Sequence, residues 1–303
     1  MKTTKNNLRI IFIGVSKFAV PALKSLFENN YNIIAVITFP DKPVGRKQEV
    51  MPTPIKRAAE KYKLLILQPE KISDLKFKII NLKPDLIIVS SYGKIIPKSI
   101  LDIPSFGCLN IHPSLLPKYR GASPIQTAIL NGDKKTGITI ILMDEKMDHG
   151  PIISQIKIDI KPAENYKYLE ERLSQESGAF LIKIMPQYLS NKIKPQKQDE
   201  NKTSYTKILS REQGEIDLSK SAIEIERKIR AFYPWPGTWL YLNKKRIKIL
   251  KAKAIKKAQK ASIKTGKDFL LLKIVQPEGK KPMTGEEFFR GYLKNRLDLK
   301  KFI

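Results

Sequence analysis

Three apolar, β-branched runs constrain this chain most: Leu8–Val15, Tyr31–Phe39 and Asp85–Ser90. Continuous apolar runs of this kind read as strands buried on both faces. Between them the period changes. Phe18, Leu23, Leu26 and Phe27 recur at helical spacing across Phe18–Asn30, and Ile55–Tyr62 and Ile72–Leu82 read as further helices around a short strand, Leu64–Leu67. Strand, helix and strand in alternation imply a parallel sheet with helices on both faces. Thr136–Met143 is another strand candidate, with Ile152–Ile160 paired to it or running beside it. Pro40–Pro54 mixes proline, glycine and charge without a period and reads as a loop. Gly14 closes the first strand, but no G-x-G-x-x-G follows it, so dinucleotide binding is not implied. A ligand of such a domain should still sit near the carboxyl ends of the strands.

The pattern shifts near residue 190. Tyr166–Leu189 has helical spacing, with Pro186 placed to end or bend it. Ser190–Thr206 is polar, with Lys, Asn and Gln and little apolar spacing, and reads as a linker. Beyond it, Ser221–Ala231 is helical, and short strand candidates follow at Thr238–Leu242, Arg246–Ile255 and Phe269–Gln276. Several short strands in under about a hundred residues suggest a small OB-like β-barrel. A chain of 303 residues has room for two such cores. The expected organisation is an α/β domain over 1–190, a linker over 191–206 and a β-barrel domain over 207–303.

No apolar run reaches the roughly 18 residues that span a bilayer. Met1–Asn7 is too short for a transit peptide, and Ile10–Val15 reads better as a buried strand than as a signal core. The one cysteine, Cys108, excludes an internal disulfide framework and offers no metal-ligand cluster. A cytoplasmic setting is expected. The formal net charge is +28, which favours polyanion partners because a cation meeting a phosphate releases condensed counterions. The chain is also rich in Ile, Asn and Lys, as in a genome biased toward A and T, so drift accounts for part of that charge.

The most informative stretch runs Asn110-Ile111-His112-Pro113-Ser114-Leu115-Leu116-Pro117-Lys118-Tyr119-Arg120-Gly121-Ala122-Ser123-Pro124-Ile125. Its prolines prevent one regular helix across Gly107–Gly121. In an extended segment Asn110 and His112 project to one side. An amide donor and a titratable imidazole facing one point suit oxyanion stabilisation and proton transfer. A bare Asn-x-His triplet is more often a turn cap and a packed histidine. An isolated Asp148 is likewise most often a turn residue, and spacing does not separate it from Asp144.

The longer context resembles the folate-dependent formyltransferases, and HPSLLPKYRGASPIQ is very close to the signature of the methionyl-tRNA formyltransferase family. Thr136–Thr139 and Met143-Asp144-Glu145-Lys146-Met147-Asp148-His149-Gly150-Pro151 match its second half. The resemblance implies a Rossmann-like parallel-sheet catalytic domain followed by the small barrel. It maps the catalytic trio onto Asn110, His112 and Asp148. Asn110 and His112 would donate to the oxyanion of a tetrahedral intermediate, and Asp148 would orient His112 and help remove the amine proton. No metal is implied. The donor would be 10-formyltetrahydrofolate, the acceptor the initiator methionyl-tRNA, the working form a monomer without a membrane partner.

The resemblance places the folate on Ser114-Leu115-Leu116-Pro117, with Tyr92 and Gly93 completing the pocket and Asp144 shaping its loop. Leu115 and Leu116 serve equally as ordinary core residues. The family uses the 40–52 loop to grip the tRNA acceptor stem, which maps its arginine onto Arg46 beside Lys42 and Lys47; a plain solvated loop is the competing account. Ala231–Trp239 and Gln276–Met283 match its C-terminal domain, where Lys244, Lys245 and Arg246 open a dense positive run that suits tRNA or a merely lysine-biased surface. Two departures stand out: Gly14-Val15-Ser16 replaces the usual Gly-Thr-Pro, and His149 follows Asp148, with no role assigned. The runner-up readings are a formyltransferase for a small amine, such as a sugar nucleotide or glycinamide ribonucleotide, and a non-catalytic RNA-binding protein.

Overall fold

A computed structural model describes residues 7–45, 48–242 and 245–292. The chain forms two compact units. The first runs to Pro124 and takes in Thr136–Asp159 and Glu170–Thr206; the second consists of Ile125–Lys135, Ile160–Leu169 and the chain from Lys207 on.

Up to Thr206 the chain forms β1 (Arg9–Gly14), α1 (Val20–Glu28), β2 (Asn32–Ile37), β3 (Lys42–Val44), β4 (Glu49–Met51), α2 (Pro54–Lys61), β5 (Ile66–Leu67), α3 (Lys76–Leu82), β6 (Leu86–Ser90), α4 (Lys98–Leu101), β7 (Cys108–His112), β8 (Arg120–Gly121), α5 (Pro124–Asn131), β9 (Lys135–Leu142), β10 (Ile152–Asp159), α6 (Tyr166–Leu189) and β11 (Tyr205–Thr206). The main sheet has the order β10-β9-β7-β6-β1-β2-β5. Strands β5, β2, β1, β6 and β7 pair in parallel. The apolar runs are two-sided, as the sequence predicts. Ile11, Ile13, Ile87 and Val89 join one core cluster, while Ile10, Phe12 and Ile88 on the alternate positions are also fully buried. Each such side chain contributes about 1.5–3 kcal/mol by leaving water. Local signals fix the helix starts: Thr53 accepts from the Lys56 amide ahead of Pro54 at the head of α2.

Three expectations need correction. The sheet is mixed, because β9 pairs antiparallel with β7, His112 lying opposite Thr139. The chain returns at the end of the sheet where β7 stops, so no crossover reverses it. The 40–54 loop contains a hairpin, β3 against β4, with Lys42 opposite Met51. Strands of three residues are too short to display a period of two that would reveal them. The expected linker 191–206 is threaded into the first unit. Gln196 and Ile152 exchange both backbone hydrogen bonds, at 2.7 and 2.8 Å. β11 pairs in parallel with β8. The polar residues there bond protein groups, which composition cannot distinguish from solvation.

Because β2 and β5 lie on one side of β1 while β6 and β7 lie on the other, the strand order reverses between β1 and β6. At such a reversal the loops leave in opposite directions and open a crevice at the carboxyl ends. Gly14 and Ser90 end β1 and β6 there, and His112 ends β7.

The second unit holds α7 (Ala222–Ala231), β12 (Trp239–Leu242), β13 (Lys245–Ile255), β14 (Ser262–Lys264), β15 (Phe269–Pro277), β16 (Met283–Thr284) and α8 (Gly285–Tyr292). Its strands form an antiparallel sheet in the order β12-β13-β15-β14, with β16 also on β15. Leu240, Ile247, Ile249, Leu270, Leu272 and Val275 pack against Ile225 and Ile229 of α7 and Phe288 of α8. The sheet curls, and residues 215–222 lace its edges, since Glu215 bridges Trp239 and Ser221 bridges Lys267. A Ser221–Glu224 capping box starts α7.

Candidate active site

Asn110 and His112 lie two residues apart on β7, which aims both side chains to one side of the sheet. Asp148 comes from the turn after β9 and has φ 50. Its carboxylate collects three groups. Asn110 Nδ2 donates to Oδ1 at 3.1 Å, and the Gly121 backbone N–H donates to Oδ2 at 2.8 Å. His112 Nδ1 lies 3.5 Å from Oδ1. Gly121, at φ 106, is required here: a Cβ would come within 2.8 Å of the Thr206 carbonyl oxygen.

The tautomer of His112 follows from its other nitrogen. Nε2 lies 2.9 Å from the Tyr119 carbonyl oxygen, an acceptor only, so Nε2 carries a proton. Nδ1 is therefore the nitrogen that faces Asp148, and with a proton it pairs with the carboxylate. The imidazole is buried, at 4% exposure. Water competes little for these groups, which strengthens their interaction.

The Ser114–Pro117 segment is pinned from beneath. Thr139 Oγ1 donates to the Ser114 carbonyl at 2.6 Å and accepts from the Leu116 amide at 3.1 Å. Gln155 Nε2 reaches the Leu116 carbonyl at 2.7 Å. Ser114 Oγ donates to the Lys118 carbonyl at 2.6 Å, and Leu116–Pro117 is a cis peptide. Leu116 is buried, while Leu115 and Pro117 are half-buried. Tyr92 is buried against Phe39, ring centroids 5.1 Å apart, and that burial raises its phenol above the usual range. Gly93 follows at φ 73 in open space. Asp144 Oδ1 accepts from the Lys146 amide at 3.0 Å, and Oδ2 pairs with His149 Nδ1 at 2.5 Å.

The sequence-predicted trio is thus brought together. Asp144 lies in the same turn but bonds His149. Gln198 carries no sequence signal: it lies in the stretch whose composition reads as linker. Its Nε2 donates to the Asp148 and Gly150 carbonyls, both at 2.8 Å. Arg120 belongs to the signature, where its spacing suggests no role, yet its fully buried side chain is bound by Gln198 and Glu200.

The candidate tRNA residues lie in separate elements. Lys42 is exposed on β3, in a hairpin whose foot is held by Asp41. Asp41 pairs with Lys56 at 2.5 Å and accepts from Gln68 at 2.7 Å; the Lys56 and Gln68 hydrogen bonds hold its carboxyl below the usual range. Arg46, Lys47 and Lys244 lie outside the described residues. Lys245 is exposed at the start of β13. Arg246 stacks on the Trp239 ring at 3.8 Å, so its guanidinium serves a cation–π contact within the unit.

Residues 8–185 match the family described as formyl transferase, and residues 208–293 match its C-terminal domain. The methionyl-tRNA formyltransferase of Bacillus subtilis (strain 168) is 40% identical over 299 residues, covering 93% of this chain and 94% of that protein. That of Chloroflexus aurantiacus is 38% identical over 301 residues, covering 94% and 97%. The N-formyltransferase from Helicobacter canadensis, solved with folinic acid and dTDP-3-aminofucose, superposes with a TM-score of 0.68 at 20% identity, over 88% of this chain and 99% of that one. HypX from Aquifex aeolicus, solved with tetrahydrofolic acid, gives 0.64 at 16% identity over 95% of this chain, which spans 48% of that chain. At these identities the two structures speak for the fold alone. With both domains matched and near-full-length relatives at 40% identity, the chain belongs to the formyl transferase family, among the methionyl-tRNA formyltransferases.

Proposed function

We propose that this chain transfers the formyl group of 10-formyltetrahydrofolate to the α-amino group of the initiator methionyl-tRNA, for translation initiation. The observation that carries the chemistry is the meeting of Asn110, His112 and the Gly121 N–H on the Asp148 carboxylate. The bound folate supplies an amide-like formyl group whose carbonyl accepts charge as the amine adds. The residues present fit that donor. Leu115, Leu116 and Pro117 offer an apolar wall beside the backbone groups of a pinned loop, as a flat heterocycle with a polar edge requires. Asn110 has a second amide hydrogen to offer the oxygen on which negative charge develops, and His112 can assist as a donor only in the form that carries a proton on Nδ1. One such donor is typically worth about 3–4 kcal/mol of barrier. Asp148 pairs with His112 and accepts the proton that the amine loses, directly or through one water. That proton would pass to the folate nitrogen as its bond to the formyl carbon breaks and tetrahydrofolate leaves.

We assign this chemistry to the first unit and phosphate contacts with tRNA to residues 207–303, together with the 40–52 loop that carries Lys42, Arg46 and Lys47. The working form is proposed to be a monomer in the cytoplasm. The test is formylation of purified methionyl-tRNA by the purified chain, with an aminosugar nucleotide as the competing acceptor. Asn110→Ala, His112→Ala and Asp148→Asn should each lower single-turnover rates by about 10²–10⁴-fold while the fold persists. A near-native rate in His112→Ala would remove it from the chemistry, and formylation of the aminosugar alone would change the acceptor.

A further inference from the structure

The turn that presents Asp148 is braced from a segment remote in sequence. Asp148 has φ 50, in the left-handed region, which aspartate reaches more readily than most residues but still at a cost relative to the right-handed one. The two backbone carbonyls that flank His149, those of Asp148 and Gly150, both point at Gln198 Nε2, at 2.8 Å each. One amide nitrogen carries two hydrogens and so satisfies both carbonyls. The orientation of that amide is settled by its other end. Gln198 Oε1 faces Arg120 Nη2 at 2.8 Å and Arg120 Nε at 3.1 Å, and a guanidinium donates only.

Arg120 is itself fully buried, so its remaining donors need partners. Nη2 and Nη1 pair with Glu200 at 2.7 and 3.1 Å, and Nη1 reaches the Tyr205 hydroxyl at 3.2 Å. Arg120 and Gly121 are the two residues of β8, and they hold Asp148 at both ends. Gly121 binds the carboxylate through its N–H. Arg120 holds the backbone through Gln198. Because β11 pairs with β8, the 198–206 segment is part of the frame on which the carboxylate is aimed.

We propose that Gln198 is a positioning residue for Asp148, kept in its orientation by the Arg120–Glu200 pair. The proposal rests on the placement of Asp148 in the chemistry. A displacement of about 1 Å in a reacting group can cost about a hundredfold in rate. Releasing both carbonyls should therefore slow the chemical step and leave substrate binding largely intact.

The experiment compares Gln198→Met, which keeps the length and removes every polar atom, with Gln198→Glu, which keeps an oxygen toward Arg120 and lacks the donors. The glutamate variant also guards against simple misfolding, because buried Arg120 retains a partner. Single-turnover formylation, KM for both substrates and the thermal midpoint are measured, with Asp148→Asn alongside. Both Gln198 variants should lose about 10–100-fold in the chemical step, with KM values within about threefold of the parent. A native rate in Gln198→Met, with Asp148→Asn inactive, would overturn the inference and leave the site assignment standing. Rate losses that merely follow the drop in thermal midpoint, with both KM values rising, would reduce Gln198 to a structural role and also overturn it. A native rate in Asp148→Asn would remove the site assignment and this inference together.

Discussion

At the scale of single residues, reactivity here follows burial and the identity of the hydrogen-bond partner. His112 shows the second: the Tyr119 carbonyl fixes a proton on Nε2 and leaves Nδ1 toward Asp148. Cys108 shows the first. It is 1% exposed on β7, and burial pushes its thiol up to about 12. The thiolate is the reactive form, so the native protein at pH 8 should react with a disulfide reagent about a thousandfold more slowly than the unfolded chain. Rapid stoichiometric labelling of native protein would show that β7 opens readily. Asn110 and His112 were legible through the family signature around them, since strand geometry puts both on one side but a bare Asn-x-His does not mark a site. The Gly121 N–H and the Tyr119 carbonyl were not, since backbone groups carry no residue code.

Among the elements, β13 shows how a strand keeps its lysines outside. Ile249 is buried, so strict alternation would turn Lys251 inward. The register skips Leu250 on β13 and Lys273 on β15, pairing Ile249 with Val275, Lys251 with Ile274 and Ala252 with Leu272. One irregularity on each strand shifts both by one position, so that Ala252, Leu272 and Leu270 join the core. Lys248, Lys251 and Lys253 are left exposed. If this strip meets tRNA phosphates, changing these lysines to Gln should lower the slope of log affinity against log salt by about one for each phosphate no longer neutralised. An unchanged slope across the salt series would assign this part of the charge to composition.

Over the whole molecule, the charge balance predicts sensitivity to acid. Asp41, Glu200, Asp217, Glu224 and Glu287 all sit below the ordinary carboxylate range, held there chiefly by hydrogen bonds from Lys56, Arg120, Ser219, Ser221 and Thr284 in turn. A carboxyl lowered by folding adds stability above its unfolded pKa and loses it as pH falls through the folded value. Stability should therefore decline from about pH 4.5 downward. Protonation also uncovers more of a net charge already at +28, which adds repulsion. Denaturant midpoints at pH 7 and pH 3 check this, and Glu200→Gln should flatten part of the fall. Equal midpoints at both pH values would mean that these pairs are fully screened by solvent. The effect per pair is small, because these carboxylates are exposed or half-exposed.

By itself the sequence determined the α/β alternation, the later antiparallel unit and the trio Asn110, His112 and Asp148, the last through a resemblance rather than through spacing. Hydrophobic period and local caps are short-range signals, and one chain displays them directly. The reversal of β9, the hairpin at 42–51 and the packing of 191–206 were decided by tertiary structure. Each depends on where a polar backbone finds its partner, and that partner can lie far along the chain: Arg120 and Gln198 meet across 78 residues. A buried guanidinium needs donors matched to acceptors on several segments at once. No local pattern encodes that match, and for that reason the brace behind Asp148 lay hidden in a stretch that composition describes as solvated linker.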